Sequence, residues 1–105
     1  MYASVTQFTV PHFGDDFDVA QEMFGRNVLP ELRKQTGYEG SYFLRTDRGE
    51  GILVILWEDE AAANASESGG PMAEQMELFI PYLGAIREGK KRFTVGLADH
   101  SVDLN

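Results

Sequence analysis

One run limits what this chain can become: Gly51-Ile52-Leu53-Val54-Ile55-Leu56-Trp57, six apolar residues after a glycine with no polar break. A strand sends alternate side chains to opposite faces. Ile52, Val54 and Leu56 then point one way, and Leu53, Ile55 and Trp57 the other, so both faces need cover. A chain of 105 residues makes one domain and buries roughly 60–70% of its unfolded surface. It has helices enough for one face. The sequence predicts that a second copy of the chain covers the other, with function expected in the space between the two sheets.

Charge and composition narrow the partners. Nine basic residues against seventeen acidic ones leave a net charge of -8, which repels phosphate backbones and argues against nucleic acid. The local exception, Lys90-Lys91-Arg92, reads as a solvated turn beside a helix C-terminus, where positive charge is favoured. No apolar run approaches the roughly 20 residues that a membrane span requires. Met1-Tyr2-Ala3-Ser4-Val5 has neither the basic nor the apolar region of a signal peptide. With no cysteine there is no disulfide and no thiolate chemistry, and the cytoplasm is the expected location.

Around the central run the elements follow in order. Residues 2–10 form a strand ended by Pro11, with Tyr2, Ser4, Thr6, Phe8 and Val10 on one face. Asp15 or Asp16 caps a helix from about Phe17 to Gln35, whose stripe is Phe17, Ala20, Phe24, Val28 and Leu32. Pro30 predicts a kink or break near Val28–Leu29, and Gly37 closes the helix. Tyr38 to Thr46 is a strand that pairs as a hairpin with the central run through the turn 47–50. Asp59 caps a short helix, Glu60 to about Ser66. Pro71 opens another with the stripe Met72, Met76, Phe79, Leu83 and Ile86, kinked or divided at Pro81 and stopped at Gly89. Arg92 to about Ala98 is the last strand, with Phe93, Val95 and Leu97 on one face, and residues 99–105 form a polar tail.

Strand, helix, strand, strand, helix, strand is the split βαβ order of an α+β, ferredoxin-like fold: a four-stranded antiparallel sheet with both helices on one face. The other face is expected to carry Trp57 or its strand neighbours together with aromatics from the other strands. So large an apolar patch is unusual on a monomer. Two such sheets packed face to face give a dimeric α/β barrel.

Three stretches carry a family likeness: Val28-Leu29-Pro30-Glu31-Leu32, Gly37-Tyr38-Glu39-Gly40-Ser41-Tyr42-Phe43 and Ile55-Leu56-Trp57-Glu58-Asp59-Glu60-Ala61-Ala62. Together they resemble the antibiotic biosynthesis monooxygenase superfamily of dimeric α/β barrels over about residues 2–98. The resemblance implies a homodimer with a cleft between helices and sheet in each subunit. Members of that superfamily include cofactor-free monooxygenases acting on aromatic polyketides or quinols, haem-degrading enzymes and many proteins of unknown role. The haem-degrading branch uses an asparagine on strand one and a histidine on the helix after the tryptophan. Here the strand position is Thr6, with Gln7 beside it, and no histidine lies between His12 and His100. The resemblance therefore favours chemistry with no cofactor and no metal.

In that chemistry the substrate, as a phenolate, passes an electron to oxygen itself. The protein binds the ring, excludes water and places donors where negative charge develops. The candidate substrate-binding residues are Trp57, Tyr42, Tyr38, Arg45, Asn64 and Gln7, with Arg45 placed to stabilise a phenolate. Each has a plainer role: Trp57 as a core anchor, the tyrosines as sheet packing with rim hydroxyls, Arg45 beside the hairpin turn, Asn64 facing solvent. The stripe of Met72, Met76 and Phe79 packs the core and can leave a pliable pocket wall. His12 and His100 make a weak metal pair without a third ligand. Gly69-Gly70-Pro71 is no phosphate loop, and no Gly-x-Ser-x-Gly elbow occurs. Two functions follow as expectations: a cofactor-independent monooxygenase for a small aromatic or quinol substrate, or a non-catalytic dimeric small-molecule-binding or stress-linked protein. A different enzyme on the same barrel is the third. No catalytic residue is singled out.

Overall fold

The computed structural model describes residues 1–99. Its elements are β1 (Tyr2–Thr9), α1 (Phe13–Met23), a π-helical turn (Phe24–Val28), α2 (Leu29–Leu32), β2 (Tyr38–Arg45), β3 (Glu50–Trp57), α3 (Glu60–Glu67), α4 (Pro71–Phe79), a 3-10 turn (Ile80–Leu83) and β4 (Ala85–Thr94). The four strands form one antiparallel sheet in the order β2-β3-β1-β4. The fold is the α+β, ferredoxin-like arrangement expected from the element order.

The central run forms β3 and sits between β1 and β2. Leu53, Ile55 and Trp57 face the helices and are buried, whereas Ile52, Val54 and Leu56 on the other side are only half-buried. Register sets the covered face in rows: Tyr38, Trp57 and Tyr2; Ser41, Ile55, Ser4 and Arg92; Phe43, Leu53, Thr6 and Lys90; Gly51, Phe8 and Ile86. Over the last rows Phe8, Phe17 and Phe43 meet edge to face, with ring centroids 5.5–6.3 Å apart. Gly51 leaves room for this cluster: a Cβ there would stand 2.3 Å from Phe8.

The bare face differs from its expected content. Trp57 belongs wholly to the covered side, its ring 5.9 Å from that of Tyr38. The bare side instead carries Ile52, Val54, Leu56 and Val5, with Tyr42, Leu44 and Phe93 about half exposed.

Helix boundaries follow local chemistry. The first helix begins at Phe13, four residues before Phe17, because Asp16 acts inside it rather than as its cap: its carboxylate accepts the His12 backbone N–H at 2.8 Å. The break near Val28–Leu29 is present, as a π turn ahead of Pro30. Asp59 caps α3, accepting from the Ala62 N–H at 2.8 Å, and Pro71 opens α4. The second long helix, expected to reach Gly89, ends at Phe79 and tightens into the turn at Pro81. Gly84 then reverses the chain at φ 68, where a Cβ would meet the Thr9 carbonyl oxygen at 2.3 Å. The last strand therefore starts at Ala85 rather than Arg92 and ends at Thr94. Ile86, read as the last member of a helical stripe, is a strand residue opposite Phe8. Lys90-Lys91-Arg92 lies within that strand, not in a turn. Val95 keeps one bond, from its N–H to the Met1 carbonyl, and Leu97 is exposed.

Candidate functional site

An apolar hollow lies between the sheet and α4, on the helix side of the sheet. Its volume is about 300 Å³. The sheet contributes Ser4 and Thr6 from β1, Leu53, Ile55 and Trp57 from β3, and Ile86, Gly89 and Lys90 from β4. The helical wall is Met72, Ala73, Met76 and Glu77, with Ile80 at its end and Glu67 from α3. Most of the lining is apolar, with a few polar groups to orient a ligand, as in small-molecule sites generally.

The polar end is built around Glu67, the last residue of α3. Its side chain is 13% exposed. Oε1 accepts the Ser4 hydroxyl at 3.0 Å, and Oε2 accepts Lys90 Nζ at 2.8 Å and an Arg92 N–H. A second Arg92 N–H goes to the Asn64 amide oxygen. Burial works to raise the Glu67 carboxyl; the hydrogen bond and charge of Lys90, the Ser4 hydroxyl and the Arg92 charge outweigh it, and the group is held below its ordinary value of 4.5. Glu67 is therefore ionised and fully engaged. In the sheet row next to that of Ser4 and Arg92, Trp57 is completely buried and its indole N–H has no hydrogen-bond partner among the described residues. Such a donor is unusual, because buried polar atoms are nearly always paired.

The six residues singled out from the sequence are scattered. Only Trp57 lines the cleft. Tyr38 packs behind it, with its hydroxyl 2.9 Å from Ser41 Oγ. Asn64 stands beside the cleft, holding Arg92. Tyr42 and Gln7 are exposed on the bare face. Arg45 lies at the far end of the sheet, where Nη1 reaches Asp18 at 2.9 Å and Gln21 at 2.6 Å and Cζ sits 4.9 Å over the Phe17 ring. His12 is an exposed residue at the head of α1, and His100 lies outside the described residues. Among the described residues no three His, Asp or Glu side chains converge to hold a metal ion.

The sequence reading missed Ser4, Glu67 and Lys90 as wall residues. Ser4 and Thr6 did leave a signal: two hydroxyls on the face that also carries Tyr2, Phe8 and Val10. Glu67 and Lys90 left none, because only the packing of α3 against β1 and β4 brings them together.

No family model matches the sequence, and no curated protein matches it. Solved structures do match. SnoaB, a cofactor-independent oxygenase from Streptomyces nogalater, superposes with a TM-score of 0.69 at 16% identity, covering 92% of this chain and 94% of its own. The monooxygenase ActVA-Orf6 of Streptomyces coelicolor, solved with nanaomycin D, gives 0.71 at 17% identity, covering 95% and 92%. The fold is that of the antibiotic biosynthesis monooxygenases. A further antibiotic biosynthesis monooxygenase gives 0.61 at 13% identity over 94% and 100% of the two chains. These matches cover 92–95% of this chain, so nearly all of it shares the fold. Among the described residues no helix is long and apolar enough to cross a membrane.

Proposed function

We propose that this protein is a homodimeric, cofactor-independent monooxygenase that takes a small aromatic or quinol substrate into the cleft between the sheet and α4. The observation that carries the reading is the cleft itself: about 300 Å³, largely apolar, with Trp57 and two methionines in its wall. A flat ring fits against the Met72 and Met76 thioethers and the apolar floor of Leu53 and Ile55. Shielding from water favours one-electron transfer from a bound phenolate to oxygen over its competing reactions. The likeness to a cofactor-independent oxygenase supports the same reading.

The dimer rests on the bare face. Ile52, Val54, Leu56, Val5, Tyr42, Leu44 and Phe93 form a continuous apolar surface across the strands, of the kind that soluble monomers seldom leave open. Two copies placed face to face cover it.

A second reading has its own observation. Glu67, the buried carboxylate of the cleft, already accepts from Ser4, Lys90 and Arg92, so it is a poor base for a phenol, and the other wall carboxylate, Glu77, is exposed on α4. A protein that binds without turnover is consistent with that. Oxygen uptake with a panel of hydroquinones and anthrones separates the two. The oxygenase consumes oxygen above the buffer rate; binding with no uptake favours the second reading.

A further inference from the structure

The polar end of the cleft is built to take a negative charge, an asymmetry invisible in a chain of net charge -8. Two cations, Lys90 and Arg92, face Glu67, and of the two Lys90 lines the cleft itself. Both Glu67 oxygens already accept hydrogen bonds from Ser4, Lys90 and Arg92. Lys90 uses one of its three N–H groups on Glu67. Directly across the strand pair stands Thr6, whose hydroxyl makes no hydrogen bond among the described residues. The remaining wall carboxylate, Glu77, is exposed on α4, where water screens it.

The backbone is shaped for this arrangement. Thr6 pairs with Lys90 but Gln7 pairs with Arg87, so Glu88 and Gly89 are both extra residues in β4. Both have positive φ, 57 and 75. A bulge re-aims the side chain beside it, and bulges concentrate next to functional sites. Gly89 itself lines the cleft, and a Cβ there would meet nothing within 4 Å, so the approach to Lys90 is open.

We infer that the cleft selects ligands that carry one carboxylate on an apolar ring system, and that the Lys90 ammonium, beside the Thr6 hydroxyl, takes the anionic oxygens. Lys90 is then the specificity-determining residue, and Glu67 is an internal competitor that keeps it placed. This rests on the reading of the cleft as the binding site.

Calorimetric titration with 2-naphthoate and its neutral isostere 2-naphthamide, at low salt, tests it. The anion binds about tenfold tighter or more, the range of a hydrogen bond to a charged group. Lys90→Gln brings the two affinities to near parity, and Glu67→Gln widens the preference by removing the competing charge. Equal affinities in the unmodified protein, or a preference that Lys90→Gln leaves intact, overturns the inference while the cleft reading survives. Failure of both probes to bind overturns both. Lys90 is 42% exposed, so the variant folds, and circular dichroism verifies this.

Discussion

The two faces of one strand make the most instructive contrast in this molecule. Leu53, Ile55 and Trp57 are 3%, 5% and 0% exposed; Ile52, Val54 and Leu56, alternating with them, stay half-wetted. Both sets are apolar and equally good β-formers, so nothing in the strand distinguishes them. What differs is the cover: helices on one side, none from this chain on the other. Burial is thus a property of the neighbours, and the apolar character of the bare set is the mark of a cover that this chain alone does not supply.

The largest effect that sharpens this contrast is Trp57→Ala. On the covered face it removes a fully buried side chain, and unfolding titrations should show a loss of about 3–5 kcal/mol. Val54→Ala, three residues before the tryptophan and on the bare face, should cost well under half of that in the isolated protomer. Equal losses at the two positions would break the contrast.

Next comes Val54→Asp. In the proposed dimer it buries a carboxylate in an apolar interface. Sedimentation at micromolar concentration should show the dimer of the unmodified chain replaced by an 11.7 kDa particle with unchanged helix content. An unmodified chain that already sediments as that particle removes the dimer from the account. Gly51→Ala ranks third, at about 1–3 kcal/mol from overpacking against Phe8 and Phe17, with no change in assembly.

The smallest effect concerns the acid limb of stability. Glu67 has a folded-state value below its unfolded one, so its contribution is fully present above about pH 4.5 and is lost as pH falls through the folded value. Glu67→Gln should therefore flatten the acid limb of a midpoint-against-pH curve. A variant whose acid limb matches that of the unmodified protein contradicts the pairing with Lys90 and Arg92.

The fold was legible because it is written in local chemistry. Asp59 as a cap, Pro71 at a helix start, Pro30 at a break and Gly37 at φ 84 each act within a few residues. The last strand was not, because Leu83 and Ile86 keep a helical spacing across Gly84. The reversal there is set by contact with Thr9, more than seventy residues away in sequence. The cleft was legible only through Trp57 and the pliable methionines. Tyr42 and Gln7 have suitable chemistry but occupy the bare face, and Arg45 lies at the far end of the sheet against α1. Glu67 and Lys90 are separated by 23 residues and meet only in three dimensions.

The central claim is that oxidation takes place inside the cleft, and a plug tests it most directly. Ala73 lines the cleft from α4, and Ala73→Phe fills part of its volume without touching the polar end. Oxygen uptake with an anthrone substrate should exceed the buffer rate in the unmodified protein and fall at least tenfold in the plugged variant, circular dichroism being unchanged. Uptake that survives the plug, or none in the unmodified protein across the whole panel, would contradict the account.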